Sequence, residues 1–243
     1  LAVCGSVGMA GAAMLAVRAA QRCGAGLVAA ALPRSLYPAV AGQNLEAVYR
    51  LLPETSDGLV AAEARHLLRE ELGRASAVLC GCGLGRGDSV TAVVEDLLAQ
   101  ASCPVVLDAD GINAAAGHIH IGKTARVPVV LTPHPGEMAR LIGCRIEDVQ
   151  QNRVETARSF AEEQKAVVVL KGYQTVIAAP GRAGGSGRGP AVPARDAALR
   201  YDRRAGRTVF QSGKIGVEPL WSAASRGKEA SRPWSFWRPP RSA

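Results

Sequence analysis

Three apolar runs in this chain each end in a short polar segment, and that recurrence limits the folds open to it. Val127-Pro128-Val129-Val130 leads into Leu131-Thr132-Pro133-His134-Pro135-Gly136-Glu137. Pro104-Val105-Val106-Leu107 leads into Asp108-Ala109-Asp110-Gly111, and Ala166-Val167-Val168-Val169-Leu170 into Lys171-Gly172. Strands apolar throughout their length suit a sheet covered on both faces, which is the usual state of a parallel sheet. In an open α/β sheet, ligands bind beyond the carboxyl ends of the strands. The polar residues gathered there form one candidate site edge.

The rest of the first three quarters agrees. Helical patterns run over Met9–Cys23, with Met14, Leu15, Arg18, Ala19 and Arg22 divided between an apolar and a basic face. Others run over Glu63–Leu72, with Leu67, Leu68 and Leu72 on one side, and over Ser89–Ala99, with Val90, Val93, Val94 and Leu97 as core face. Two more helices are expected over Gly136–Ile142 and Ile146–Gln164, and strands over Leu27–Leu32 and Ala77–Cys80, with Thr175–Ala179 continuing as a hairpin. Strands alternating with helices of this length predict an α/β fold: a central, mostly parallel sheet with helices on both faces. Val3-Cys4-Gly5-Ser6 reads as the end of a strand that starts before Leu1, so the N-terminus is expected to fall inside the domain.

Charge divides the chain. Residues 1–181 hold 16 basic and 17 acidic side chains, a formal charge of −1, whereas residues 182–243 hold 13 and 4, a formal charge of +9. Trp221, Trp234 and Trp237 all lie in the second part, and Cys4, Cys23, Cys80, Cys82, Cys103 and Cys144 all lie in the first. Two units are therefore expected: an α/β domain over 1–181 and a basic, atypical tail over 182–243, disordered or loosely attached for most of its length. Gly8–Leu32 carries Arg18, Gln21 and Arg22, so it is not a membrane span, and it lacks the order of a signal peptide. The cysteines show no paired spacing, and Cys80-Gly81-Cys82 is too short for a zinc knuckle, so reduced thiols and no metal ligands are expected.

Each polar segment has a plain alternative. Gly81-Cys82-Gly83-Leu84-Gly85-Arg86-Gly87-Asp88, between a strand and a helix, could cradle a phosphate or be an ordinary glycine turn. Asp108 and Asp110 could hold a metal or polar ligand, or Asp110 could cap the next helix. His134, bracketed by prolines, points to ligand contact, and Glu137 to a helix cap or a cation. Lys171 suits an anion, the alternative being a solvated side chain.

In this order, Gly5-Ser6-Val7-Gly8-Met9-Ala10-Gly11-Ala12-Ala13, Arg22-Cys23-Gly24-Ala25-Gly26-Leu27-Val28, Gly81-Cys82-Gly83-Leu84-Gly85, Asp108-Ala109-Asp110-Gly111-Ile112-Asn113, Thr132-Pro133-His134-Pro135-Gly136-Glu137 and Lys171-Gly172-Tyr173-Gln174-Thr175 resemble the ADP- or ATP-dependent NAD(P)H-hydrate dehydratases. These are metabolite-repair enzymes of the ribokinase-like fold, and the resemblance covers about residues 2–181. It implies a carbon–oxygen lyase that dehydrates (S)-NAD(P)H hydrate while ADP, or ATP, is cleaved, giving AMP and phosphate from ADP, with Mg2+ to offset phosphate charge. It implies that Ala12, Gly83 and His134 contact the hydrate and that Lys171, Gly172, Tyr173, Gln174 and Thr175 bind the nucleotide. A cytoplasmic homotetramer is implied, with no membrane or nucleic-acid partner.

The family's second glycine turn ends in an aspartate that acts as base, and its amides, Gly187 here, hold the transferred phosphoryl group. This chain has Gly184-Gly185-Ser186-Gly187 and then Arg188, which stays protonated and cannot be a base. The catalytic residue is thus unknown, and an inactive chain is one expectation. The lost motif coincides with the composition change, which reads as a shifted frame or misassembled gene beyond about Arg182, a genuine divergent tail being the alternative. Two rival functions stand beside the lyase. One is a small-molecule kinase of the same fold, of hydroxymethylpyrimidine or thiazole type. The other is a non-catalytic nucleotide-binding protein whose basic, tryptophan-containing tail touches nucleic acid.

Overall fold

The computed structural model describes residues 1–181 and, beyond them, the strand backbones Leu199–Asp202 and Arg207–Phe210. In chain order the elements are β1 (Ala2–Val3), α1 (Ala10–Arg22), β2 (Ala29–Pro33), α2 (Tyr37–Ala41), β3 (Val48–Leu52), α3 (Ala64–Leu72), β4 (Val78–Cys80) and α4 (Asp88–Gln100). There follow β5 (Val105–Leu107), α5 (Asp110–Ala115), α6 (Ile121–Thr124), β6 (Val129–Leu131), α7 (Pro135–Ile142), α8 (Ile146–Gln151), α9 (Arg153–Gln164), β7 (Val167–Leu170) and β8 (Val176–Ala178). They form an eight-stranded sheet in the order β3-β2-β1-β4-β5-β6-β7-β8, parallel throughout except for β8, which runs antiparallel to β7.

Register aligns the strand ends. Cys80 pairs with Leu107, Leu107 with Leu131, and Leu131 with Val168, so the segments after β4, β5, β6 and β7 emerge on one edge. Side chains alternate between two apolar layers. Val3, Ala31, Cys80, Leu107 and Leu131 join Leu68, Val93, Ile112, Met138 and Phe160 from the helices after β3, and Ala2, Cys4, Ala30 and Leu32 join Ala13, Val17 and Val40 from α1 and α2. Helices thus lie on both faces. Over β5 to β7, however, the face shared with α1 keeps Val106, Val130, Val167 and Val169 only partly buried among the described residues.

Several expectations shift. In α3 the buried stripe is Ala64, Leu68 and Leu72, an i, i+4 row, while Leu67 turns outward at 46% exposure. In α1 the buried residues are Ala13, Ala16 and Val17, and Leu15 is exposed, because the close approach of α1 to β1 selects small side chains. The span 146–164 breaks at Asn152 into α8 and α9. Edge strand β3 was not expected; its Arg50 pairs with Glu71 at 2.7 Å. In the tail, β9 (Leu199–Asp202) and β10 (Arg207–Phe210) form an antiparallel ribbon where no periodicity was read, four residues being too few to show one. The expected boundary at 182 and the remainder of the tail lie outside the described residues.

Candidate active site

The turn after β6 is a helix start built by its sequence. His134 precedes a proline, which favours extended backbone, and it has φ −80° and ψ 167°. Its Nδ1 accepts from the Gly136 amide at 3.0 Å and from the Glu137 amide at 3.4 Å, while Glu137 Oε2 accepts from the His134 amide at 2.8 Å. This is a capping box with proline at the first helical position. With Nδ1 accepting, the imidazole proton resides on Nε2, 3.3 Å from Glu137 Oε1. Glu137, left open between cap and cation ligand, is therefore the cap, and it is buried to 5% exposure.

Next to this turn stands a cluster drawn from three strands. The Lys171 amide donates to Pro133 O at 2.8 Å, extending the β6–β7 pairing beyond the strands. Lys171 Nζ reaches Asp108 Oδ1 at 2.6 Å and lies 3.9 Å from Glu137 Oε2, and Thr132 Oγ1 donates to the same Asp108 oxygen at 2.7 Å. Lys171 is thus paired rather than merely solvated, though its side chain stays 41% exposed. Arg153, at the start of α9, donates to the carbonyls of Leu170 at 3.0 Å and Lys171 at 3.2 Å, fixing the backbone that carries the ammonium.

Burial alone would push the Asp108 carboxyl up, but the bonds from Lys171 and Thr132 outweigh it and hold the group below its ordinary value. The stability this ionised carboxylate contributes is complete above the usual aspartate pKa of about 3.9 and is lost as pH falls through the lower folded value. Asp108→Asn is expected to flatten the acid limb of a stability–pH curve below about pH 4; an unchanged limb contradicts the pairing.

Beside it, the glycine turn closes on β1 and α1. Asp110 neither caps α5 nor stands free: its Oδ2 accepts from the Gly85 amide at 3.0 Å and its Oδ1 from Asn113 Nδ2 at 3.2 Å, tying the turn to the end of β5. Buried Ser6 donates to Gly83 O at 2.8 Å. Gly83 has φ +71°, and a Cβ there would sit 2.7 Å from the Ala12 methyl, so Ala12 and Gly83 are in contact as a small-residue floor. This floor lies at the β1/β4 junction, where the strand order reverses, the position at which doubly wound sheets open a ligand crevice. His134 stands two strands further along.

The expected nucleotide residues follow in sequence: Gly172 beside Arg153, Tyr173 at 94% exposure, Gln174 with φ +61°, and Thr175 with its hydroxyl on Gly172 O at 3.3 Å. Gly187 and Arg188 lie outside the described residues. Thr132 and Arg153 were not anticipated as site residues, since their roles depend on partners 24 and 17 or more residues away. A cleft of about 260 Å3, lined in part by His118, His120, Phe160 and Gln164, lies by the amino ends of β6 and β7, away from this cluster. Among the described residues no three His, Cys, Asp or Glu side chains gather closely enough to hold a metal ion, and no helix is long and apolar enough to cross a membrane.

A mostly parallel sheet with this strand order, a glycine turn at its crevice and a lysine–carboxylate cluster on its carboxyl edge defines a doubly wound α/β protein. The chain belongs to the NAD(P)H-hydrate dehydratase family, whose model matches residues 1–186. It is 43% identical over 180 residues to the bifunctional NAD(P)H-hydrate repair enzyme Nnr of Moorella thermoacetica, covering 74% of this chain and 34% of that one. It is 38% identical over 251 aligned positions to the Nnr of Salinibacter ruber, covering 100% of this chain and 45% of the relative. The ADP/ATP-dependent NAD(P)H-hydrate dehydratase of Bacillus subtilis, co-crystallized with ATP/Mg2+ and soaked with CoA, superposes with a TM-score of 0.59 at 34% identity, covering 74% of this chain and 61% of that one. A ribokinase-like superfamily protein from Enterococcus faecalis, 24% identical with a TM-score of 0.60 over 74% of this chain and 59% of its own, shares the fold. The chain thus spans from about a third to three fifths of the length of these relatives.

Proposed function

We propose that this chain dehydrates (S)-NAD(P)H hydrate to NAD(P)H, using ADP and releasing AMP and phosphate. The observation that carries the reading is the Lys171–Asp108–Thr132 cluster beside the His134–Glu137 turn, set on the carboxyl edge of a sheet of this family. Hydroxide is a poor leaving group from saturated carbon. Transfer of the terminal phosphoryl group of ADP to the hydrate hydroxyl breaks the phosphoanhydride and frees AMP. Loss of a ring proton and of phosphate then forms the carbon–carbon double bond.

In this scheme the half-exposed Lys171 ammonium exchanges part of its pairing with Asp108 for a phosphate oxygen, while Arg153 keeps its backbone in place. Tyr173, Gln174 and Thr175 line the nucleotide beyond Gly172. Ala12 and Gly83 form the floor against which the hydrate lies, and His134 Nε2–H presents a donor at the rim. Asp108, beside the half-exposed Lys171, is a hard oxygen donor that fits one Mg2+ shared with phosphates better than an all-protein cage, while Glu137 stays engaged as the cap of α7. Bound there, the ion would neutralise phosphate charge. Arg188 stands where the family aspartate is expected, so turnover by this chain assigns the base to another carboxylate, such as Asp196 or Asp202. Assembly as a cytoplasmic tetramer belongs to the same proposal.

The test is product balance: AMP and phosphate released in equal amounts, dependent on both hydrate and ADP. A phosphorylated alcohol without free phosphate would assign the kinase reading instead. The two roles of His134 separate by substitution. His134→Ala is expected to cost about 1 kcal/mol of stability and to weaken protection of the fold by NADPH hydrate. His134→Asn restores a cap and is expected to recover the stability but not the hydrate protection. Wild-type protection in both variants would remove His134 from the hydrate site.

A further inference from the structure

The glycine turn after β4 carries a guanidinium at the rim of the crevice. Arg86 sits between Gly85 and Gly87, just past the Gly83 floor. Its backbone is held from two sides. The Gly85 amide donates to Asp110 Oδ2 at 3.0 Å. Leu59, in the loop after β3, lies over the two glycines: its Cδ2 stands 2.5 Å from where a Cβ on Gly85 would be, and its Cδ1 3.4 Å from one on Gly87. That loop is in turn tied to the segment after β1, where the Val7 amide donates to Gly58 O at 3.0 Å. Gly85 has φ +78°, which glycine adopts without strain, so the turn can run close under Leu59.

The side chain on this fixed turn is 65% exposed. Among the described residues its one carboxylate neighbour within ion-pair range is Asp110, with Oδ1 3.9 Å from Arg86 Nε, beyond hydrogen-bond distance. Asp110 is already engaged by the Gly85 amide and by Asn113 Nδ2 at 3.2 Å. The cations at the end of β7 are committed otherwise, Lys171 to Asp108 and Arg153 to the carbonyls of Leu170 and Lys171. They also stand three strands away from β4. A guanidinium offers a planar fork of donors that matches the oxygens of a phosphate. Because the backbone beneath Arg86 is already ordered, binding through it carries less of the cost of fixing a loop.

We propose that Arg86 binds a phosphate of the hydrated dinucleotide, either its pyrophosphate or the ribose 2′-phosphate that only the NADPH form carries. Arg86 then holds the hydrate from the β4 side of the crevice, while Lys171 serves ADP from the β7 side. The division keeps two anionic ligands on separate cations of one sheet edge. This inference rests on the dehydratase reading, in which the hydrate lies on the floor formed by Ala12 and Gly83.

The experiment measures, by calorimetry at low ionic strength, the binding of (S)-NADH hydrate, (S)-NADPH hydrate and ADP, each alone, to the full chain and to Arg86→Gln. Hydrate affinity is expected to fall roughly 10-fold or more in the variant, as for a lost charge-assisted bond, with ADP affinity and the unliganded Tm unchanged. Arg86→Lys is expected to recover part of the loss, and added salt to shrink it. A loss shared by both hydrates assigns the pyrophosphate, and a loss confined to NADPH hydrate assigns the 2′-phosphate. Hydrate affinities equal in wild type and Arg86→Gln, or a loss confined to ADP, overturn the proposal and leave the dehydratase reading standing. A wild-type chain that binds ADP but neither hydrate overturns that reading and the proposal with it.

Discussion

Gly81→Ala is expected to cost about 4 kcal/mol or more, which places it among the most damaging single substitutions available to a domain of this size. Gly81 has φ +124°, outside the region that other residues adopt, and a Cβ there would stand 1.9 Å from Asp108 O and 2.6 Å from Gly111 N. Both are backbone atoms and cannot rotate aside. They also belong to the bonds that hold β4 to the start of α5: Asp108 N to Cys80 O at 3.0 Å, Asp110 N to Gly81 O at 3.2 Å and Gly111 N to Asp108 O at 3.0 Å. Relieving the clash means opening that junction, with Asp108 and Asp110 on it. A drop in Tm of roughly 8–16 °C corresponds to this cost. Gly117→Ala is the control: its φ is +74°, but open space surrounds it, so only strain of about 1–2 kcal/mol applies. Equal losses from the two variants would show that crowding at Gly81 is not the cause.

Lys171→Ala is expected to weaken ADP binding by roughly 10- to 150-fold, the equivalent of about 1.5–3 kcal/mol for a lost charge-assisted bond. The same change removes the cation from Asp108, which keeps only the Thr132 hydroxyl on that oxygen. Asp108 then loses the main influence that holds its carboxyl down, and its pKa rises. Calorimetric titration with ADP reads the first effect, and the acid limb of the stability curve reads the second. A wild-type affinity together with an altered acid limb would confine Lys171 to pairing with Asp108 and take it out of nucleotide binding.

The site edge was legible because it is local. A parallel sheet places chemistry just beyond its strands, and Asp108, His134 and Lys171 each follow an apolar run directly. His134 and Glu137 form a capping box whose spacing is visible in four residues, although sequence alone left Glu137 open between cap and cation. What was not legible depends on packing. The contacts of Lys171 with Asp108, of Asp110 with Gly85 and of Arg153 with Leu170 O join separate elements. Leu67 in α3 and Leu15 in α1 are apolar in sequence but face outward, because helix phase is set by which neighbours the helix meets. Asn152 breaks one periodic span into two helices without the glycine or proline that marks a stop.

The most direct measurement incubates the purified chain with (S)-NADH hydrate, ADP and Mg2+ and follows the return of NADH absorbance, with the Bacillus subtilis relative run alongside. Recovery that requires ADP is the predicted result, and it would place the missing base on a carboxylate other than the one Arg188 replaces. No recovery beside an active relative would contradict dehydration by this chain and reduce its carboxyl edge to nucleotide binding at most.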